Sequence, residues 1–258
     1  MGFFDGAKAQ IAGQKAYRAH VAANELADAG KPGEAGQKYL EVEKLYEQAM
    51  AVGQPRPGVR IGYAILLMRL GRFEKAREVM QAMRLDKSLT ESDWFDLRLN
   101  YSVCLWKLGQ LDDAIATGKR AMQLKKCAAI YNTLGMYLVE KAGQTGDFAE
   151  AEAFNRESMD YDDEDAGILD NLGAMHLAMA KYADDPAPHR QKAKDCFAKA
   201  HAIKPRQITT LYALAKLYHE DGQDDKAREV LRDTDTLYYS AVCAVSREMM
   251  EALRAECR

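Results

Sequence analysis

Apolar residues recur every three or four positions along most of the chain, as in IGYAILLM, LRLNYSVCLW and TLYALAKLYHE. This spacing places apolar side chains on one face of an α-helix, whereas a half-buried strand would alternate with a period of two. No alternating run stands out in the sequence. The pattern therefore predicts an all-α protein.

Small residues divide this helical pattern into six units. Each unit has a small residue, then an alanine 12 to 20 positions later: Ala23 and Ala35, Ala64 and Ala76, Ser102 and Ala114, Gly135 and Ala151, Gly173 and Ala193, Ala215 and Ala227. Five units carry a glycine between the two: Gly30, Gly71, Gly109, Gly146 and Gly222. Small side chains let two helices approach closely, and glycine ends a helix in the left-handed conformation. Each unit is therefore predicted to be a helical hairpin.

These units resemble the tetratricopeptide repeat. The segment TLYALAKLYHEDGQDDKAREVL at 210–231 is similar to the family's pattern of small residue, turn glycine and alanine. AKDCFAKAHAIKP at 193–205 resembles the second helix of the repeat with its final proline, and NTLG at 132–135 and DNLG at 170–173 resemble the first-helix core. The resemblance implies an all-α, right-handed α-solenoid (superhelix) of antiparallel helix pairs, forming a single domain over residues 1–258.

The predicted repeats have the following approximate bounds: 16–51, 57–87, 94–126, 128–162, 166–204 and 207–235. Residues 236–258 are predicted to form one capping helix, because Tyr238, Ala241, Val245, Met249 and Leu253 share a helical face. A terminal repeat needs such a cover for its apolar side. Packing should be looser in the third and fourth units, where Gly118 and Asn155 replace the usual bulky residue.

The charge of the chain argues against nucleic acid and membrane partners. Its 36 basic and 39 acidic side chains give a net charge of −3, and no basic block is present. The longest apolar run, residues 61–68, is far shorter than a membrane span. Five scattered cysteines and the lack of a secretory signal pattern predict reduced thiols and a cytoplasmic location.

No arrangement of residues predicts catalysis, a cofactor or a metal site. The five histidines are scattered along the chain, and no HExxH or CxxC spacing occurs. The acidic run DYDDED at 160–165 fails as a calcium loop, because Asp165 and Asn171 occupy the positions that need glycine and glutamate. Neither a glycine-rich phosphate loop nor a GxSxG elbow is present. The chain is thus predicted not to be an enzyme.

The family resemblance implies that the first helices line a concave groove. Its predicted lining residues are Ile61, Ile65, Met68, Leu99, Val103, Trp106, Asn132, Met136, Val139, Asp170, Tyr212 and Lys216. The groove is apolar in the second to fourth units and polar in the last two. This favours a scaffold or adaptor that binds a peptide or an amphipathic helix of a partner protein.

Two other interpretations of the groove stay open at this stage. Its apolar residues could pack against one another, or the chain's own Phe3, Phe4 and Ile11 could fill it. A different function is also open, namely a self-assembling structural protein that forms a homo-oligomer through solenoid edges or the capping helix.

Overall fold

The computed structural model describes residues 3–257, with side chains from residue 6 onward. These residues form thirteen α-helices and no strand, which confirms the all-α solenoid fold. The helices are α1 (Phe3–Asp28), α2 (Pro32–Val52), α3 (Pro57–Arg69), α4 (Phe73–Met83), α5 (Glu91–Lys107), α6 (Leu111–Met122), α7 (Ala128–Thr145), α8 (Ala149–Tyr161), α9 (Ala166–Met179), α10 (Ala187–Ile203), α11 (Ile208–Glu220), α12 (Asp224–Val230) and α13 (Arg247–Glu256). Within this range, no helix is both long and apolar enough to cross a membrane.

The turns within the helix pairs have the predicted glycine chemistry. Five glycines have φ between 71° and 79°: Gly30, Gly71, Gly109, Gly146 and Gly222. At the α3–α4 turn the amide of Arg72 donates to the carbonyl of Leu67 at 2.8 Å, and Gln110 donates to Leu105 at 2.9 Å in the α5–α6 turn. These bonds pair carbonyls at the end of the first helix and reverse the chain.

The small residues lie where helices approach closely. The alanines of the second helices are buried: Ala35, Ala76, Ala114, Ala151, Ala193 and Ala227. A Cβ added at Gly173 on α9 would lie 2.9 Å from Cε1 of Phe197 on α10, and one added at Gly135 would lie 2.8 Å from Nδ2 of Asn171. A larger side chain at either glycine would therefore displace a neighbour.

The helices form two compact units. Unit 1 contains residues 1–117 and 236–242, and unit 2 contains residues 118–235 and 243–258. Large buried side chains of unit 1 include Tyr39, Tyr46 and Met80, and those of unit 2 include Tyr137 and Phe197. Each unit therefore has its own core.

The predicted capping helix over 236–258 is wrong in its extent. Among the described residues of this range, only Arg247–Glu256 is α-helical, and this helix starts where the Ser246 hydroxyl accepts the amide of Met249 at 3.2 Å. Met250 and Leu253 are its buried residues, whereas Met249, which was expected on the buried face, is 40% exposed. Residues 236–242 instead belong to unit 1, and we call them the return segment.

The contacts of the return segment explain why it leaves the helical path. The Tyr238 ring lies 5.0 Å from the Tyr39 ring, and the Arg69 guanidinium lies 5.0 Å from Tyr39 and 5.9 Å from Tyr238. The amide of Ala241 donates to the carbonyl of Arg69 at 3.1 Å, at the end of α3. Aromatic packing, cation–π contacts and a paired helix-end carbonyl stabilise this non-helical path.

Candidate functional site

The predicted groove residues of unit 1 lie on α3 and α5, and we call them the unit 1 strip: Ile61, Ile65, Met68, Leu99, Val103 and Trp106. Ile61 and Met68 are buried in the core of unit 1, and Ile65 and Val103 pack against that core while remaining half-buried. Leu99 and Trp106 are also half-buried. The unit 1 strip thus has two buried residues and four residues that unit 1 covers only in part.

Sequence reasoning missed an extension of this surface onto α1. Tyr17, which is 50% exposed, covers Gly62, since a Cβ added to that glycine would lie 3.4 Å from Cδ2 of Tyr17. Val21 follows Tyr17 by four residues and is also exposed. This i, i+4 pair was the signal in the sequence, because such residues share one helical face.

A cation lies against the aromatic end of the unit 1 strip. The Lys107 ammonium is 4.9 Å from the Trp106 ring and 5.8 Å from the Phe73 ring. An ammonium near aromatic faces is attracted by their electron density. This end of the strip therefore combines aromatic area with positive charge.

The predicted groove residues of unit 2 form a different surface, which we call the unit 2 strip: Asn132, Met136, Val139, Asp170, Tyr212 and Lys216. The Asn132 amide on α7 donates to Asp165 Oδ1 at 3.0 Å, and that oxygen also caps α9 by accepting the amide of Gly167 at 2.8 Å. Asn171 on α9 donates back to the carbonyl of Asn132 at 2.8 Å. Side-chain hydrogen bonds therefore tie α7 to α9.

Asp170 extends this bonding from α9 to α11. Its carboxylate accepts the hydroxyls of Thr209 and Thr210, the former at 3.0 Å. Burial raises the pKa of Asp170, and the threonine hydrogen bonds partly oppose that shift. The carboxylate therefore serves to hold two helices together.

The other members of the unit 2 strip are less constrained by polar contacts. Val139 is buried, and Met136 and Tyr212 are half-buried. Lys216 is exposed, with its ammonium 3.9 Å from a carboxylate oxygen of Glu220. Lys216 is thus the polar member of the unit 2 strip whose side chain is exposed.

The N-terminal filling of the groove is not supported where the structure describes it. Ile11 is 71% exposed, so the interpretation that it fills an apolar groove is wrong. The side chains of Phe3 and Phe4 lie outside the described residues. The segment that packs onto unit 1 from elsewhere in the sequence is the return segment.

A cavity of about 340 Å³ lies on another side of unit 2, among α6, α7 and α8. Its apolar lining includes Met122, Leu134 and Phe154, and the Lys126–Glu157 pair at 2.7 Å lies at its border. Gly118 lies close to this cavity, because a Cβ added there would be 3.3 Å from Leu134 Cδ1. Leu134 therefore lies close to Gly118, and looser packing in this unit stays a prediction.

The structure also brings together metal-binding side chains that the sequence separates. His219, Asp224 and Cys257 each place a ligand atom within 4.8 Å of the other two. Imidazole, carboxylate and thiolate groups are all zinc ligands. Spacing alone could not reveal this cluster, since its members come from three different elements.

Comparison with known proteins identifies the predicted repeat in part of the chain. Residues 26–95 match the family model described as tetratricopeptide repeat. No curated protein matches the chain.

Solved structures agree with the fold. TTC0263, a thermophilic TPR protein of Thermus thermophilus, is 17% identical with a TM-score of 0.53, and the match covers 78% of this chain and 98% of that one. The human IFIT1 dimer with m7Gppp-AAAA is 18% identical with a TM-score of 0.56, and the match covers 76% of this chain and 45% of that one. The match therefore spans less than half of the IFIT1 chain, and at these identities the likeness concerns the fold.

Proposed function

We propose that this tetratricopeptide repeat protein is a non-catalytic scaffold or adaptor that binds an apolar or amphipathic segment of a partner protein. The repeat fold generally mediates protein–protein interaction, and proteins of this family are typically non-catalytic. The observation that carries the proposal is the unit 1 strip, in which Ile65 and Val103 pack against the core of unit 1 while remaining half-buried, and Trp106 is half-buried on the same helix as Val103.

The chemistry of the unit 1 strip favours a helical ligand with one apolar face. Tryptophan supplies a large contact area at small entropic cost, and a partner helix presents apolar residues at the same spacing of three and four. In unit 2, Asn132 and Asp170 position neighbouring helices, while Tyr212 and Lys216 offer polar contacts to a partner. We place this interaction in the cytoplasm, in keeping with five free cysteines.

The experiment that tests the proposal starts from a displayed library of amphipathic helical peptides. A peptide selected on the purified protein should bind Trp106→Ala about tenfold or more weakly than wild type, because a central aromatic anchor carries much of an interface's energy. Thermal unfolding should remain close to wild type. If Trp106→Ala melts far below wild type and folded protein still binds normally, Trp106 is only a core residue and the proposal fails.

A nucleic acid ligand serves as the negative control in this assay. Human IFIT1 was solved with m7Gppp-AAAA, but a net charge of −3 gives this chain no overall attraction to a phosphate backbone. We expect no salt-dependent binding of m7Gppp-AAAA to the purified protein. If the protein binds that RNA saturably and binds no peptide at the same concentration, the proposal that the partner is a protein is wrong.

Self-assembly is the second candidate function, and exposed apolar residues of α1 favour it. Ile11, Tyr17 and Val21 are all exposed large side chains on this first helix. Light scattering at two protein concentrations distinguishes the candidates, since a self-assembling chain gains mass with concentration. In that case Ile11→Asp should reduce the mass gain, whereas a concentration-independent monomer excludes this function under the conditions used.

A further inference from the structure

The cluster of His219, Asp224 and Cys257 joins the end of the last repeat to the final helix. His219 lies in the last turn of α11, Asp224 begins α12, and Cys257 directly follows α13. Nδ1 of His219 is 2.7 Å from Oδ1 of Asp224, and the Cys257 sulfur belongs to the same group of ligand atoms within 4.8 Å. All three residues belong to unit 2.

The types of ligand fit zinc better than calcium or magnesium. Zinc accepts imidazole nitrogen, carboxylate oxygen and thiolate sulfur together, with bonds of roughly 2.0 to 2.3 Å, whereas calcium and magnesium prefer oxygen ligands. One thiolate and one carboxylate would neutralise the divalent charge. The fourth tetrahedral position would be open to water.

The surroundings of the cluster allow the side chains to close on an ion. The side chains of His219 and Asp224 are 30% and 34% exposed, so they can turn toward a metal, while Cys257 is fully buried. Two ligands of one zinc ion lie roughly 3 to 4 Å apart at these bond lengths. Separations of up to 4.8 Å therefore require a movement of about 1 Å, and exposed side chains can supply it.

The surroundings of Cys257 shift the pKa of its thiol in both directions. Burial and the carboxylates of Asp224 and Glu256 raise the pKa of the Cys257 thiol, and Arg228 lowers it. Arg228 also donates to the backbone carbonyl of Cys257 at 2.7 Å, which fixes the end of α13 near the cluster. A divalent cation would favour the thiolate far more strongly than Arg228 does.

We propose that His219, Asp224 and Cys257 form a three-residue zinc site that fastens α13 to the last repeat. On binding, the Cys257 thiol loses its proton to the buffer and the sulfur bonds to the metal. Nδ1 of His219 bonds through its lone pair with the ring proton on Nε2, and Asp224 bonds through a carboxylate oxygen. The His219–Asp224 contact is replaced by two bonds to one ion, so zinc stabilises unit 2 by mass action.

Titration of the full-length, EDTA-treated, reduced protein with Co²⁺ and then Zn²⁺ tests this site. We expect one equivalent of cobalt, a thiolate-to-cobalt charge-transfer band, loss of that band on adding one equivalent of zinc, and a higher melting temperature with zinc. Cys257→Ser should abolish the band and weaken zinc binding about tenfold or more. Cys196→Ser, at a half-buried thiol of the same unit, should change neither.

Substitutions at the exposed ligands keep the test valid if Cys257→Ser fails to fold. His219→Gln and Asp224→Asn should each weaken zinc binding about tenfold or more, while far-ultraviolet circular dichroism of the metal-free variants matches wild type. The site is disproved if wild type binds no cobalt through sulfur. It is equally disproved if the band survives Cys257→Ser, or if the His219 and Asp224 variants bind zinc as wild type does.

Discussion

The two strips occupy equivalent positions of their repeats but are built differently. In the unit 1 strip, Leu99 and Val103 are apolar and half-buried, and Val103 packs against the core of unit 1. In the unit 2 strip the positions equivalent to Leu99 are Asn132 and Asp170, whose polar groups bond to the next first helix. The same backbone position therefore presents apolar surface in one unit and joins neighbouring helices in the other.

This difference shows that a residue's position on the predicted groove face does not by itself predict contact with a ligand. Asp170 is a carboxylate on the predicted groove face, yet its hydrogen bonds go to Thr209 and Thr210. A buried polar group must be paired, and here the pair lies within the protein. The apolar side chains of the unit 1 strip need no hydrogen-bond partner within the protein, so we assign partner binding chiefly to unit 1.

The largest expected effect concerns close packing in unit 2, where glycine occupies the small-residue position of α9. Gly173→Leu should lower the free energy of unfolding by about 3 kcal/mol, because even a Cβ would meet the buried Phe197 ring at 2.9 Å. Urea unfolding measures this effect. Gly33→Leu on α2 is the control, since nothing lies within 4 Å of an added Cβ there. Equal stability of both variants would disprove the close approach of α9 and α10.

The next prediction tests whether Asp170 stabilises the packing of helices in unit 2 or contacts a partner protein. Asp170→Ala should cost roughly 2 kcal/mol of unfolding free energy, because it leaves the buried Thr210 hydroxyl without its acceptor. Leu99→Ala is the matched change in unit 1 and should affect peptide binding more than Asp170→Ala does. If fully folded Asp170→Ala protein loses more peptide affinity than Leu99→Ala does, the assignment of partner binding to unit 1 is wrong.

Acid sensitivity is expected to arise in unit 1 from His20. Burial, with a smaller effect from Arg69, lowers the pKa of His20 from 6.5 to about 4. Above pH 6.5 both folded and unfolded chains are neutral at this site, and between pH 6.5 and 4 the unfolded chain binds the proton more readily. Stability is therefore lost as pH falls through this window, by roughly 2 kcal/mol at pH 5.

Unfolding of wild type and His20→Gln at pH 7 and pH 5 isolates that contribution. The raised pKa of Asp170 acts in the opposite direction, because the folded carboxyl holds its proton more tightly than the unfolded one. Since both proteins share Asp170, its effect cancels in their difference. An identical loss of stability in wild type and His20→Gln would show that His20 does not cause the acid sensitivity.

The smallest expected effect concerns the return segment. Tyr238→Ala removes the contacts with the Tyr39 ring and the Arg69 guanidinium and should destabilise unit 1 by about 1 kcal/mol. Hydrogen exchange at the Ala241 amide, which donates to Arg69, should speed up. Tyr182→Ala, at an exposed tyrosine of unit 2, should leave that amide unchanged. Unaltered exchange at Ala241 in Tyr238→Ala would mean that Tyr238 does not hold the segment.

The regular parts of the fold were predictable because local chemistry determines them. The spacing of apolar residues predicted the helices, and the turn glycines predicted the hairpins. Gly71 and Gly109 confirm this, because both adopt the left-handed backbone conformation. The prediction of a helix before Arg247 was wrong because Tyr238, Ala241 and Val245 have a helical spacing. Contacts with Tyr39 and Arg69, which are remote in sequence, override that local preference.

The candidate site was predictable only in its positions. Repeat register places Val103 and Met136 at equivalent points of their first helices, but it does not reveal how much each is covered. The bond from Asn132 to Asp165 depends on the distance between repeats, and the meeting of His219 with Cys257 depends on where α13 packs. Such information lies in tertiary contacts between residues that are far apart in the sequence.

The most direct test of the central claim compares Val103→Asp with Met136→Asp. Both residues are half-buried and directly follow the small residue of a first helix, Ser102 in unit 1 and Gly135 in unit 2. The affinity of a selected amphipathic peptide should be measured by fluorescence anisotropy on folded protein of each variant. We expect Val103→Asp to weaken binding about tenfold or more, because a charge in an apolar contact is costly, and Met136→Asp to change it less than about threefold. Equal losses in the two variants, or a larger loss for Met136→Asp, would contradict the claim that unit 1 carries the partner-binding surface.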